Sequence, residues 1–306
     1  MDNNKMLLVI NPVSGKNKAK EFAPDIIKRF EEAGYEVNTI YTLKEKNAYK
    51  IVIESGYDAD LIVCVGGDGT LKETVGGVMD ASLNKPIGYI PMGSTNDFAR
   101  SIGIPRNDVM AAVDNIIEGT PYPVDIGRFE NEKFIYVAAF GNFTAISYNT
   151  SQKLKNALGH SAYYIPAVKD FFKMKPYHAK VVADDEVFEG DYFYGATSNS
   201  YSIGGMPVLY NIGVKFDDGM HELILIKMFK NPKQMAQVIS AMLRRDARDN
   251  DMIIYRHAKT IKFVFDKPTP FTLDGEFGGD RLVASTSTLK HAVKIILKED
   301  FNLHCK

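Results

Sequence analysis

Leu61-Ile62-Val63-Cys64-Val65 runs directly into Gly66-Gly67-Asp68-Gly69-Thr70. Five apolar residues bounded by turn formers read as a strand buried on both faces, as in a parallel sheet. A glycine-rich turn at the carboxyl end of such a strand, leading into a helix, presents backbone N–H groups that suit phosphate oxygens. Asp68 puts a carboxylate in that same turn. Negative charge beside phosphates is unfavourable unless a cation sits between them, so the stretch predicts a site for a magnesium nucleotide. A strand, a Gly-Gly turn and a helix can also serve only to reverse the chain, so the flanking segments decide.

Outward from this stretch, strand-like and helix-like segments alternate. Lys5–Asn11, Tyr35–Thr42, Leu61–Val65 and Pro86–Pro91 read as strands, and Lys18–Ala33, Ala48–Ser55, Leu71–Asp80 and Val109–Gly119 as helices. That order predicts a parallel sheet with helices on both faces, in which ligands bind beyond the carboxyl ends of the strands. Two more polar turns fall at those ends: Asn11-Pro12-Val13-Ser14-Gly15-Lys16, and Pro91-Met92-Gly93-Ser94-Thr95-Asn96-Asp97. Three loops offering N–H groups, hydroxyls and a cation on one edge describe a polyphosphate cradle. Neither G-x-x-x-x-G-K-[ST] nor a matching G-x-G-x-x-G occurs, which counts against a P-loop enzyme and a dehydrogenase.

The texture changes near Pro121–Pro123. Beyond it, alternating β-branched and aromatic runs dominate: Phe134–Ala139, Ala179–Ala183, Glu186–Ser198, Glu222–Phe229, Thr260–Phe265 and Ala292–Leu297. Helices are expected near Ser151–Lys173 and Pro232–Ala247. The expected division is therefore an α/β domain over 1–122 and a mainly β domain over 123–306. Two acidic turns stand in the second part, Asp217-Asp218-Gly219-Met220 and Asp274-Gly275-Glu276. Taken alone each reads first as a tight hairpin turn, and the alternative is a carboxylate that binds a hard cation or serves as a base. The stretch Lys153–Lys180 mixes lysines with Tyr163, Tyr164, Phe171 and Phe172, which suits either an anionic interface or a packed helix with solvated lysines.

The chain has 306 residues, 45% hydrophobic and 25% charged, with a formal net charge of −1. Nothing in that balance gathers nucleic acid. No run of 18 apolar residues is present, so no transmembrane segment is expected and membrane contact would be peripheral. Cys64 and Cys305 are the two cysteines, which argues against a disulfide framework and fits a reducing cytoplasm.

Taken in order, Asn11–Lys16, Gly66–Thr70, Pro91–Asp97 with Phe98-Ala99-Arg100, Asp217–Met220 and Asp274–Glu276 resemble the diacylglycerol kinase catalytic family. Bacterial soluble lipid kinases are the nearest kin, and sphingosine and ceramide kinases the wider kin. The resemblance covers essentially the whole chain, although GGDGT alone is shared with NAD kinases. It implies an N-terminal α/β domain and a C-terminal β-sandwich, with ATP and lipid meeting in the cleft between them and the last ~20 residues returning to the first domain. It implies that Asn11, Ser14, Gly15, Lys16 and Thr42 help hold ATP, that Gly66, Gly67, Asp68, Gly69 and Thr70 hold its phosphates, and that Ser94, Thr95 and Asn96 close the site. Asp68 would link to Mg2+. Asp218, with the carbonyls of Lys215 and Met220, would match a structural magnesium site, and Glu276 the general base with Asp274 beside it.

The implied activity is phosphorylation of a lipid hydroxyl, diacylglycerol to phosphatidic acid, at a membrane surface. The implied setting is cytoplasmic, peripheral at the inner membrane surface, with a homodimer as an option. Two alternatives share the fold: an NAD kinase-like enzyme, and a non-catalytic nucleotide sensor. Two positions depart from the family pattern. Ser94 stands where threonine is usual, keeping a hydroxyl, and Tyr210–Lys215 lacks the usual proline-containing pattern, which bears on the structural metal site.

Overall fold

Residues 4–43, 47–141, 174–203, 206–207, 214–244 and 250–298 are described by the computed structural model. The chain forms two compact units. The first holds the residues up to Ile126, Phe216–Gly219 and the chain from Leu289, and the second holds Gly127–Lys215 and Met220–Thr288.

The first unit opens with β1 (Asn4–Ile10), α1 (Lys18–Glu32), β2 (Tyr35–Tyr41), α2 (Asn47–Ser55), β3 (Leu61–Gly66), α3 (Asp68–Asp80) and β4 (Ile87–Pro91). It continues with α4 (Asp97–Ile102), α5 (Val109–Glu118) and β5 (Thr120–Phe129). Strands β2, β1, β3 and β4 lie side by side in that order, every neighbouring pair parallel. Met6–Ile10 and Leu61–Val65 are buried throughout, because helices cover both faces of central strands in such a sheet. On α1, the buried Ala19, Ala23, Ile26 and Phe30 recur at helical spacing and form its inner stripe.

The second unit contains β6 (Glu132–Phe134), β7 (Val137–Gly141), β8 (Tyr177–Ala183), β9 (Glu186–Ser198), the short pair β10 (Ser202–Ile203) and β11 (Met206–Pro207), and β12 (His221–Lys227). It ends with α6 (Pro232–Arg244), β13 (Ile253–Ala258), β14 (Thr260–Leu273) and most of β15 (Glu276–Leu297). The end of β15 lies in the first unit, parallel to β4 through Ile295 and Ile87.

β7 and β8 each pair with both β9 and β14. β9 meets β8 over Glu186–Tyr192 and β7 over Tyr194–Ser198, and β14 meets β8 over Ile261–Phe265 and β7 over Phe271–Leu273, so the two shorter strands lie end to end between the two long ones. Alternate residues form the core of this unit: Ile261, Phe263 and Phe265 on β14, Ala179, Val181 and Ala183 on β8, and Leu223 and Leu225 on β12. The Phe140 ring lies 4.9–5.6 Å from the rings of Phe263, Phe265 and Phe271. Phe140→Ala should cost about 3–5 kcal/mol of stability, read as a lower midpoint in urea at unchanged slope.

His221 is buried at the start of β12, with its ring 5.3 Å from Phe134. Nδ1 bonds the Thr288 hydroxyl, and Nε2 meets no hydrogen-bond partner among the described residues. Burial pushes its pKa down from 6.5 to about 3. Below pH 6.5 the unfolded chain therefore binds a proton that the folded chain refuses, and stability falls as pH falls. The slope is about 1.4 kcal/mol per pH unit. Urea midpoints between pH 7 and 5 should show this fall, and His221→Gln should flatten it. His178, whose pKa is raised by its hydrogen bond to Asp191, works in the opposite sense, gaining stability as pH falls through that raised value.

Several sequence expectations are corrected. Pro121 and Pro123, read as a domain boundary, lie within β5. The sequence division placed 123–306 in the second domain with the last ~20 residues returning to the first; in the structure the first unit holds Phe216–Gly219 and the chain from Leu289 beside the residues up to Ile126. The physical reason is Asp125, which accepts the backbone N–H groups of both Gly219 and His291. Strand β14 runs through Pro268 and Pro270, and the breaks in register between Val264 and Thr272 absorb them. The helix expected at Ser151–Lys173 and most of Lys153–Lys180 lie outside the described residues. Tyr177–Lys180 begin β8.

Candidate active site

Three loops meet at the carboxyl edge of the parallel sheet. After β1, Asn11 donates its backbone N–H to the Val65 carbonyl at 2.9 Å and its side-chain Nδ2 to Thr70 Oγ1 at 3.2 Å. The first loop is thereby tied to the head of α3. Gly15, Lys16 and Asn17 then take left-handed backbone conformations in succession, with φ of 63°, 60° and 73°. Two non-glycine residues in that region cost on the order of 1–3 kcal/mol each, a strain that gathers at ligand clamps. Thr42, at the end of β2, is buried and donates its N–H to the Ile10 carbonyl.

The second loop is shorter than the sequence suggested, because α3 begins at Asp68 itself. Gly67 holds the N-cap position and brings no side chain to the first N–H groups of the helix, which leaves them suited to an anion. A side-chain carbon on Gly93 would lie 2.7 Å from the Gly67 Cα, so the second and third loops touch backbone to backbone. Glycine at position 93 permits that approach, and a side-chain carbon at 67 would sit a tight 3.2 Å from the Gly93 Cα.

The third loop is locked by Asn96, which is 4% exposed at φ 47°. Its Oδ1 accepts the Gly93 N–H at 2.8 Å and its Nδ2 donates to the Gly93 carbonyl at 3.0 Å. Asp68 Oδ2 accepts the Asp97 backbone N–H at 3.0 Å and the Thr95 hydroxyl at 3.4 Å. The carboxylate that the sequence singled out therefore joins the second loop to the third. Ser94, Gly69 and Lys16 stand exposed around this junction. The structure thus gathers Asn11, Ser14, Gly15, Lys16, Thr42, Gly66–Thr70 and Ser94–Asn96 along one sheet edge.

Three residues of this unit carry no role in the sequence reading. Asp97 is 1% exposed at the first position of α4, and Asp125 is fully buried. Asp125 accepts from Gly219 N at 2.5 Å and from His291 N at 2.7 Å, and His291 Nε2 bonds the Asp217 carbonyl at 2.8 Å. Burial raises the pKa of Asp125, the two backbone hydrogen bonds lower it, and the nearby charge of Asp218 raises it further. An acid between Val124 and Ile126 was the available signal, since a charge inside an apolar strand needs a partner. Of the expected metal donors, Asp218 falls in the first unit, and Lys215 and Met220 fall in flanking segments of the second. No group of three acidic, histidine or cysteine side chains arranged for a metal occurs among the described residues.

In the second unit, Asp274-Gly275 is the two-residue turn joining β14 to β15, with φ of 54° and 87° and Leu273 paired to Glu276. Two consecutive positive φ values make the type I′ hairpin that Asp-Gly favours. The Asp274 carboxylate is buried and accepts three backbone N–H groups: Ile135 at 2.8 Å, Tyr136 at 3.0 Å and Val137 at 3.1 Å. Asp274 N returns a bond to the Val137 carbonyl at 2.8 Å. Glu276, one residue beyond the turn, is exposed.

The model of the diacylglycerol kinase catalytic domain matches residues 5–129. A diacylglycerol kinase of Bacillus subtilis (strain 168) is 33% identical over 273 residues, 89% of this chain and 89% of that protein. The chain belongs to the diacylglycerol kinase family. A second member, the diacylglycerol kinase of Staphylococcus epidermidis RP62A, is 34% identical over 296 residues, 96% of this chain and 92% of that one. The crystal structure of a diacylglycerol kinase from Bacillus anthracis str. Sterne shares the fold, with a TM-score of 0.78 over 98% of this chain and 99% of that one at 21% identity. No helix among the described residues is long and apolar enough to cross a membrane.

Proposed function

We infer that this diacylglycerol kinase family member transfers the γ-phosphoryl group of ATP to the free hydroxyl of a diacylglycerol, forming phosphatidic acid. The observation that carries the reading is the junction at the head of α3, where the third loop donates to the Asp68 carboxylate and the first loop to the Thr70 hydroxyl. Phosphoryl transfer asks a protein mainly for positioning and charge neutralisation. The N–H groups at the start of α3 would hold the phosphates, and Lys16 would add positive charge. Asn11 and Asn96 keep the loops in register around them.

Asp68 offers oxygen donors, as a hard cation requires, and would hold Mg2+ against the phosphates. Bound magnesium would neutralise charge on the transferring group. Asp218, with the Lys215 and Met220 carbonyls, would hold a structural magnesium. Glu276 would accept the proton of the acceptor hydroxyl. We assign Asp274 to holding the turn, since its carboxylate is engaged by three main-chain donors.

The acceptor would be met by peripheral contact with a membrane surface. The test is incubation with magnesium and γ-labelled ATP, with diacylglycerol mixed micelles and NAD offered in separate tubes. Label in phosphatidic acid is the expected outcome. Label in NAD alone, or in neither acceptor, would overturn the assignment.

A further inference from the structure

Ser198, at the end of β9, is completely buried. A hydroxyl in such a place is unfavourable unless bonded, and this one is bonded on every side. Its Oγ lies 2.8 Å from the Tyr136 carbonyl and 3.0 Å from the Ser200 carbonyl, and accepts the Ser200 N–H at 3.1 Å. The Asn199 N–H also reaches the Tyr136 carbonyl, at 3.0 Å. On the other side of the same residue, Tyr136 N donates to Asp274 Oδ1. One residue is thus gripped from β9 through its carbonyl and itself grips the hairpin turn through its N–H.

The pairing of strands gives this chain of bonds a direction. β7 lies between β9 and β14, with Val137 opposite Ser198 and Ala138 opposite Leu273. The first residues of β7 are therefore a spacer between the end of β9 and the Asp274-Gly275 turn. Peptide planes are stiff, so fixing the Tyr136 carbonyl fixes the neighbouring N–H groups that hold Asp274. Glu276 follows two residues later on the same turn.

We propose that Ser198 is a positioning residue for phosphoryl transfer, acting through the Tyr136 main chain and the Asp274 carboxylate to hold Glu276 in place. The proposal rests on the reading of Glu276 as the proton acceptor. A small displacement of a reacting group lowers the rate while leaving ground-state binding alone. Ser198→Ala should therefore lower kcat roughly tenfold and leave the KM for ATP within about twofold.

The experiment is a double-mutant cycle of Ser198→Ala and Glu276→Gln, with Val181→Ala as a control for lost packing in the same unit. Each variant is assayed at 25 °C, and its folded fraction is measured separately by circular dichroism. Val181→Ala should lower the melting temperature and keep kcat. Ser198→Ala should lower kcat in the wild-type background and have no further effect on the Glu276→Gln background. Undiminished kcat in Ser198→Ala, loss only in proportion to the unfolded fraction, or full additivity with Glu276→Gln would overturn the positioning role. Full activity of Glu276→Gln itself would remove the proton acceptor, and with it both readings.

Discussion

Glu276→Gln should lose about 10²–10⁴-fold in turnover while nucleotide binding persists. Glutamine keeps the size of the side chain and its hydrogen-bonding reach, but it cannot take up the proton that a hydroxyl must release as it attacks phosphorus. The fold has little stake in the exchange, because Glu276 is exposed and the turn before it is held by Asp274. Single-turnover transfer to diacylglycerol, measured beside equilibrium binding of ATP, separates the two effects. A variant that turns over at the wild-type rate would remove Glu276 from the chemistry.

Asp68→Ala should lower kcat/KM for magnesium ATP by about 10²–10³-fold, the scale of removing one preorganised electrostatic group. Two losses are combined in that figure. The variant lacks the proposed cation-holding carboxylate, and it leaves the Asp97 N–H and the Thr95 hydroxyl without the acceptor that ties the third loop to the second. Asp68→Asn separates them, since its carbonyl oxygen can still accept from Asp97 N but carries no charge. The asparagine variant should retain loop geometry and still need far more magnesium for half-maximal rate. A magnesium titration at fixed ATP that matches wild type would reject the assignment.

The first unit was legible because its signals are local. Leu61–Val65 and Met6–Ile10 are apolar without interruption, and the turns that follow them are read over a few consecutive residues. Prolines misled in both units. Pro121, Pro123, Pro268 and Pro270 usually mark strand ends, yet β5 and β14 carry them, because bulged or edge positions do not need the missing N–H. Asp274-Gly275 was open between a hairpin turn and a functional carboxylate. The backbone is a hairpin, while the carboxylate serves donors about 139 residues earlier in the chain, a separation that no local pattern can encode. Asp125 escaped for the same reason, since the Gly219 and His291 N–H groups that justify its burial are distant in sequence.

The placement of the end of β15 beside β4 bears on biosynthesis. Asn115 on α5 donates to the Ile296 carbonyl and accepts from Lys298 N, and Ile295 pairs with Ile87. These bonds close the edge of a sheet whose other strands are complete by Pro91. A ribosome therefore delivers the last strand of the first unit only after the second unit has been made. Until then β4 exposes an unpaired apolar edge, the kind of surface that recruits strands from other chains. A gene fragment ending near residue 126 would carry the whole GGDGT loop and still lack the strand that finishes its sheet.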